Sequence, residues 1–110
     1  MKGKADLGTT RVVKLGEYTV GFRIPAEWCS HNNVGIGDTL YVEGHLDGAV
    51  TIHAKEAPWT KPVLLRLKDR KYPIVTLPKD ITRTRGITSG DTLHMVVDLK
   101  SGALELRRDR

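Results

Sequence analysis

Hydrophobic and polar positions alternate with a period of two along most of the chain. Val20, Phe22 and Ile24 alternate with Thr19, Gly21 and Arg23, and Val13 and Leu15 flank Lys14; this is the pattern of half-buried strands, here two strands around a turn at Gly16-Glu17. Pro25 then suits the first position of a helix, and Glu27 falls in the first turn, where the helix dipole favours a negative charge. Asn33 tolerates the left-handed conformation that closes so short a helix. Gly37-Asp38 marks a tight turn whose carboxylate can accept backbone N–H groups. Leu40 and Val42 point inward from a third strand, Asp47-Gly48 makes a hairpin turn, and Val50 and Ile52 belong to a fourth.

The same order returns in the second half. Without a gap, residues 25–46 lie over residues 78–99 at an offset of 53, sharing Pro25/Pro78, the Gly-Asp-Thr-Leu runs at 37–40 and 90–93, and Leu46/Leu99. One inserted residue later, Gly48-Ala49 matches Gly102-Ala103, and upstream VVKLGE at 12–17 matches LLRLKD at 64–69 with one residue of slip. Asp80, Gly86, Leu93, Met95, Leu104 and Leu106 repeat the earlier roles, and Trp28 matches Ile81 as the apolar anchor of its helix. An internal repeat outweighs local propensity in fixing the fold. The expected class is mostly β with two short helices, built from two ββαββ repeats at 11–54 and 63–108. Residues 1–10 are expected to be a flexible arm, and 55–62, with two prolines and no periodicity, a connector.

Charge sharpens the picture. The 110 residues carry 18 Lys+Arg against 13 Asp+Glu, a formal charge of +5. Residues 1–54 hold five basic and six acidic side chains, and residues 55–110 hold thirteen and seven, so the whole positive excess lies in the second half. Polyanions are the natural partners of such a chain. One cysteine, Cys29, rules out an intramolecular disulfide, and the absence of Cys/His spacing speaks against structural zinc. No apolar stretch of spanning length or signal-peptide pattern is present, so the expected setting is cytoplasmic, without membrane, metal or cofactor.

Phe-Arg-Ile-Pro at 22–25 followed by Val-Gly-Ile-Gly-Asp-Thr-Leu at 34–40, and Val-Thr-Leu-Pro at 75–78 followed by Gly-Ile-Thr-Ser-Gly-Asp-Thr-Leu at 86–93, resemble the DNA-binding domain of the AbrB/SpoVT/MazE regulators and antitoxins. The resemblance covers residues 12–108 in two copies, as in MraZ-like relatives. It implies a swapped-hairpin, or cradle-loop, β-barrel in which two copies interleave, here as a single-chain pseudo-dimer open to further homo-oligomerisation. A unit of about 50 residues cannot bury enough apolar surface alone, which agrees with that implication. The chain departs from the family in carrying Asn32 and Arg85 where an apolar residue is usual, and Thr76 where the first copy has Arg23.

The resemblance implies a nucleoid-associated transcriptional regulator that contacts double-stranded DNA through basic residues of the first hairpin of each repeat: Arg11, Lys14 and Arg23, then Arg66, Lys68, Arg70 and Lys71. Leu65 and Leu67 take the buried side of their strand, leaving Arg66 and Lys68 outside. The ordinary alternatives are a solvated strand face for the second group and an ion pair with Glu17 for Arg23. Lys2, Lys4, Arg83, Arg85, Arg107 and Arg108, with Arg110, are further candidates for phosphate contacts, although helix-end cations such as Arg83 and Arg85 also serve the helix dipole. Five neutralised phosphates would give a log–log salt slope of about −4 to −5. Catalysis finds no support, since His31, His45, His53 and His94 lack ligand spacing and Cys29 lacks an activating base. Trp59 either caps the barrel or stands exposed for a partner. The competing reading is a protein-interaction or substrate-recognition barrel; an antitoxin is weaker still, for want of a tail after the second repeat.

Overall fold

The computed structural model describes residues 3–108; Lys2 and Arg110 lie outside them. The strands are β1 (Lys4–Lys14), β2 (Val20–Arg23), β3 (Thr39–Gly44), β4 (Val50–His53), β5 (Thr60–Lys68), β6 (Tyr72–Leu77), β7 (Thr92–Asp98) and β8 (Leu104–Arg108). Helix α1 (Ala26–His31) lies between β2 and β3, and α2 (Lys79–Arg85) between β6 and β7. All pairings are antiparallel and close into a barrel in the order β1-β2-β6-β5-β3-β4-β8-β7. Exchanging β1–β4 with β5–β8 leaves every neighbour in this ring unchanged. The register follows the same exchange: Val12 pairs with Phe22 as Leu65 does with Val75, and Thr39↔Leu64 answers Arg11↔Thr92. Phe22↔Val75 and Thr51↔Glu105 are the two pairs that map onto themselves.

Alternation explains most of what is buried. Phe22, Ile24, Leu40, Val42, Val50, Ile52, Leu93, Met95, Leu104 and Leu106 all enter one core with Trp28 and Ile81. A closed barrel leaves no unpaired sheet edge, so this aliphatic filling and the ring of ladders stabilise each other.

Several expectations need correction. The hairpins align at offset 53 throughout, with no slip, because ten residues separate the pair Val12↔Phe22 and ten the pair Leu65↔Val75. Val12 therefore faces the core, while Val13 and Leu15 lie on the outer face. Leu67 has the inward orientation but is 46% exposed, since with Pro73 opposite it lies past the end of the core. Residues 4–10 are not a free arm: they pair along β7 from Lys4↔Asp98 onward, with a bulge between Asp6 and Gly8 that leaves Leu7 packed against the core. The connector is shorter than expected too, since Thr60, Lys61 and Pro62 already pair with β3.

Both helices start after a proline cap rather than on the proline itself. Asn33 (φ 54°) and Gly86 (φ 66°) supply the left-handed closures. The two Gly-Asp boxes act alike: the Asp38 carboxylate accepts the Gly35 N–H at 2.7 Å and the Asp91 carboxylate accepts the Thr88 N–H at 2.9 Å.

Candidate nucleic-acid interface

Strands β1, β2, β6 and β5 form one side of the barrel, and their register decides which side chains share its outer face. Val12, Phe22, Val75 and Leu65 stand in line and point inward. One step along, Arg23 pairs with Ile74 and Ile74 with Arg66; Arg11 continues the β1–β2 ladder to the position opposite Arg23. Adjacent positions alternate faces, so Arg11, Arg23, Ile74 and Arg66 form a row across the outer face. All three arginines are exposed. With strands about 4.8 Å apart, the row spans about 14 Å.

The row is held by its own packing. The Arg23 guanidinium lies 4.8 Å from the centroid of the Tyr72 ring, a cation–π contact, and the Thr10 hydroxyl donates to the Arg23 carbonyl at 3.2 Å. Arg23 makes no ion pair with Glu17; its partner is aromatic. Ile74 is 2% exposed yet outside the core cluster, so its cover comes from the outer face, where its register neighbours are Arg23 and Arg66.

Beyond Arg66 the β5–β6 hairpin ends in Lys68, Asp69, Arg70 and Lys71. Asp69 (φ 54°) and Arg70 (φ 56°) both occupy the left-handed region, where side chains other than Gly, Asn and Asp are uncommon. The chain thus holds an arginine at the tip of the turn against its backbone preference. Lys68 is 3.6 Å from the Asp69 carboxylate. Lys14 has the inward orientation, opposite Val20, and emerges at the far end of the same sheet, away from the arginine row.

The remaining candidates scatter. Lys4 pairs with Asp98 at the end of β1, and Arg83 is exposed in the last turn of α2. Arg85 donates through Nε to the His45 carbonyl (3.1 Å) and through Nη1 to the Ile81 carbonyl (3.2 Å), closing α2 onto the β3–β4 turn. Arg107 bridges Asp47 at 2.9 Å and Glu105 at 3.0 Å, and Arg108 donates to the Gly86 carbonyl. The backbone N–H of Ala49 and the Arg107 guanidinium hold the Asp47 carboxyl below its ordinary range, and the two carboxylates raise Arg107 in turn. None of these joins the arginine row.

Three of the four histidines serve carboxylates and a hydroxyl on the opposite side of the barrel, and His31 is exposed at the end of α1: His53 meets Glu43 at 2.8 Å, His94 meets Asp6 at 2.8 Å, and His45 meets the Thr51 hydroxyl at 2.6 Å. Cys29 is buried, which pushes its thiol up and away from a reactive thiolate. Trp28 is buried with its indole N–H on the Gly102 carbonyl at 2.7 Å, whereas Trp59 is 91% exposed. Sequence reasoning missed Tyr72 and Ile74; the signal available for both was their alternation with Pro73 and Val75 on a strand next to Arg23. Comparison with protein-family models, with curated proteins and with solved structures found no match.

Proposed function

We propose that the chain binds duplex DNA through the Arg11–Arg23–Arg66 row and the Lys68–Lys71 tip, and acts as a non-enzymatic transcriptional regulator of the AbrB-like kind its sequence resembles. The observation that carries this reading is the row itself: three exposed guanidinium groups brought from β1, β2 and β5 onto one outer face. Its span of about 14 Å is close to the major-groove width of about 12 Å. The outer arginines are then placed for phosphates on both sides of the groove and Arg23 for base edges between them. Retention of Arg70 in a disfavoured conformation supports a role that outweighs its backbone cost.

The two repeats are read as an interleaved single-chain pseudo-dimer. The ring of strands that survives exchange of its halves and the common offset of 53 support this reading. Both repeats contribute to the row, and the equivalent row of Leu64, Thr76, Gly21 and Val13 has no arginine, so the bound site is asymmetric and one barrel occupies one site.

The test is an anisotropy titration of a labelled 20-base-pair duplex. With about five phosphates neutralised, raising salt from about 50 to 200 mM weakens binding by about 500-fold. Absence of binding at the lower salt would favour the protein-interaction reading, for which the exposed Trp59, with φ 65°, is the specific support.

A further inference from the structure

We infer that the cleft between the C-terminal end of α2 and the β3–β4 turn is a second anion site, shaped for the phosphate group of a small phosphorylated ligand. The cleft has a volume of about 420 Å³ and is lined by Asp47, Gly48, Thr84, Arg85, Arg107 and Arg108. Three guanidinium groups thus face one lining carboxylate. Each is already fixed: Arg85 by the His45 and Ile81 carbonyls, Arg107 by Asp47 and Glu105, and Arg108 by the Gly86 carbonyl. An arginine has five N–H donors, and these contacts engage Nε and Nη1 of Arg85 and only Nη1 of Arg108. Donors therefore remain on both for a further acceptor, at no further cost in side-chain ordering. The Thr84 hydroxyl accepts from Arg85 Nη1 at 2.6 Å and donates to the Asp80 carbonyl at 2.8 Å, so it helps to fix the guanidinium and leaves the anion to the arginines. Gly44 makes the arrangement fit, because a Cβ there would strike the Arg85 guanidinium.

The equivalent cleft of the other half shows that this chemistry is not a by-product of the backbone. There, α1 meets the β7–β8 turn around a space of about 460 Å³ whose lining includes His31, Asn32, His53, Ala54, Ser101 and one residue of each charge, Lys55 and Glu56. Asn32 stands where Arg85 does, His53 where Arg107 does and Ala54 where Arg108 does. Two clefts of similar size thus differ in that one has three arginines against Asp47, and the other no arginine and the balanced charges of Lys55 and Glu56. The arginine cleft is also remote from the proposed DNA face. Helices α1 and α2 leave antiparallel strands β2 and β6 from opposite ends of the sheet, and the Arg11–Arg23–Arg66 row lies at the α1 end. Because row and cleft belong to opposite ends of the β2–β6 pairing, the occupant argued for is a free phosphate ester, and the inference stands apart from the DNA reading.

The experiment is a ¹H–¹⁵N titration of the full chain, without DNA and at constant ionic strength, with inorganic phosphate and with ribose 5-phosphate, and separately with a 20-base-pair duplex. The expected result is saturable shifts at the Gly48 and Thr84 amides and at the Arg85 and Arg108 Nε–H groups, with a dissociation constant on the order of 1 mM. Arg108→Gln, and independently Arg107→Gln, should weaken this at least about tenfold, while Asn32→Ala in the equivalent cleft leaves it unchanged. Dispersed spectra of each variant establish that it is folded. Shifts that do not saturate, that persist in both arginine variants, or that the duplex produces and phosphate does not, would overturn the inference. Failure of the duplex to bind anywhere leaves the phosphate result to be judged by itself.

Discussion

Two halves of one sheet face invite comparison. On β1, β2, β6 and β5 the row Arg11, Arg23, Ile74, Arg66 has a counterpart at the equivalent positions: Leu64, Thr76, Gly21, Val13. The ladders are the same, and the chemistry is not. In the second row Leu64 is 54% exposed, Val13 and Thr76 are half-buried, and Leu15 folds across Gly21, where a Cβ would strike both its methyl group and the Val75 carbonyl oxygen. The hairpin tips differ in the same sense. The β1–β2 turn carries Leu15, Gly16, Glu17 and Tyr18, with Lys79 over the Tyr18 ring at 4.8 Å, while the β5–β6 turn carries Lys68, Asp69, Arg70 and Lys71. What the backbone repeats, the side chains have divided: one half keeps a compact, nearly neutral surface and the other concentrates cations.

Reversing the charge of the first row should have the largest effect. Arg11→Glu with Arg23→Glu and Arg66→Glu is expected to lower duplex affinity by at least about 10³-fold at low salt, by losing three charge-assisted contacts and adding repulsion. The control with Glu at Leu64, Thr76 and Val13 should lose far less, and equal losses in anisotropy titrations would erase the distinction between the halves.

Stability is the next largest effect. Gly21→Ala has no room for its Cβ and should destabilise the barrel by about 3 kcal/mol, read from the urea midpoint. A variant of unchanged stability would show that Leu15 does not pack across the neutral row.

Building the missing row should sharpen the contrast. Val13→Arg, Leu64→Arg and Thr76→Arg together are expected to steepen the log–log salt slope by about 2.7, three contacts at about 0.9 each, if the second half can grip a duplex as the first does. Smaller again, Arg70→Gly should stabilise the fold by about 0.5–1 kcal/mol by relieving its left-handed conformation, and yet weaken binding a few-fold.

The smallest effect lies away from both rows. The carboxyls of Asp6, Asp47 and Asp98 are held below the ordinary value of 3.8, first by backbone N–H groups of Gly8, Ala49 and Lys100 respectively. A depressed carboxyl stabilises fully above its unfolded value and loses that contribution as pH falls through its folded one. Urea midpoints should therefore be level above about pH 5 and decline below 3.8, with Asp47→Asn removing part of the decline.

The sequence made the order of elements legible because each strand announces itself by alternation and each helix by its proline and its left-handed stop. The outer face was half legible. Arg66 could be placed outside by its leucine neighbours, but its alignment with Arg11 and Arg23 depends on which strands meet, a long-range fact that no local pattern contains. Residues 4–10 were misread for a physical reason: the bulge at Leu7 and Gly8 breaks the period of two, so a strand looks like a tail. The partners of Arg85 and Arg107 were not legible, because a free surface cation and a cation held by a carbonyl or carboxylate look alike in sequence.

Whether the duplex seats on the arginine row is read most directly from an amide chemical-shift map of the full chain titrated with a 20-base-pair duplex. The largest shifts should fall on Arg11, Arg23, Arg66 and residues 68–72, with Val13, residues 15–18, Leu64 and Thr76 nearly unmoved. Shifts of equal size on both rows, or shifts centred on the opposite side of the barrel at Glu43, Thr51 and Glu105, would contradict it.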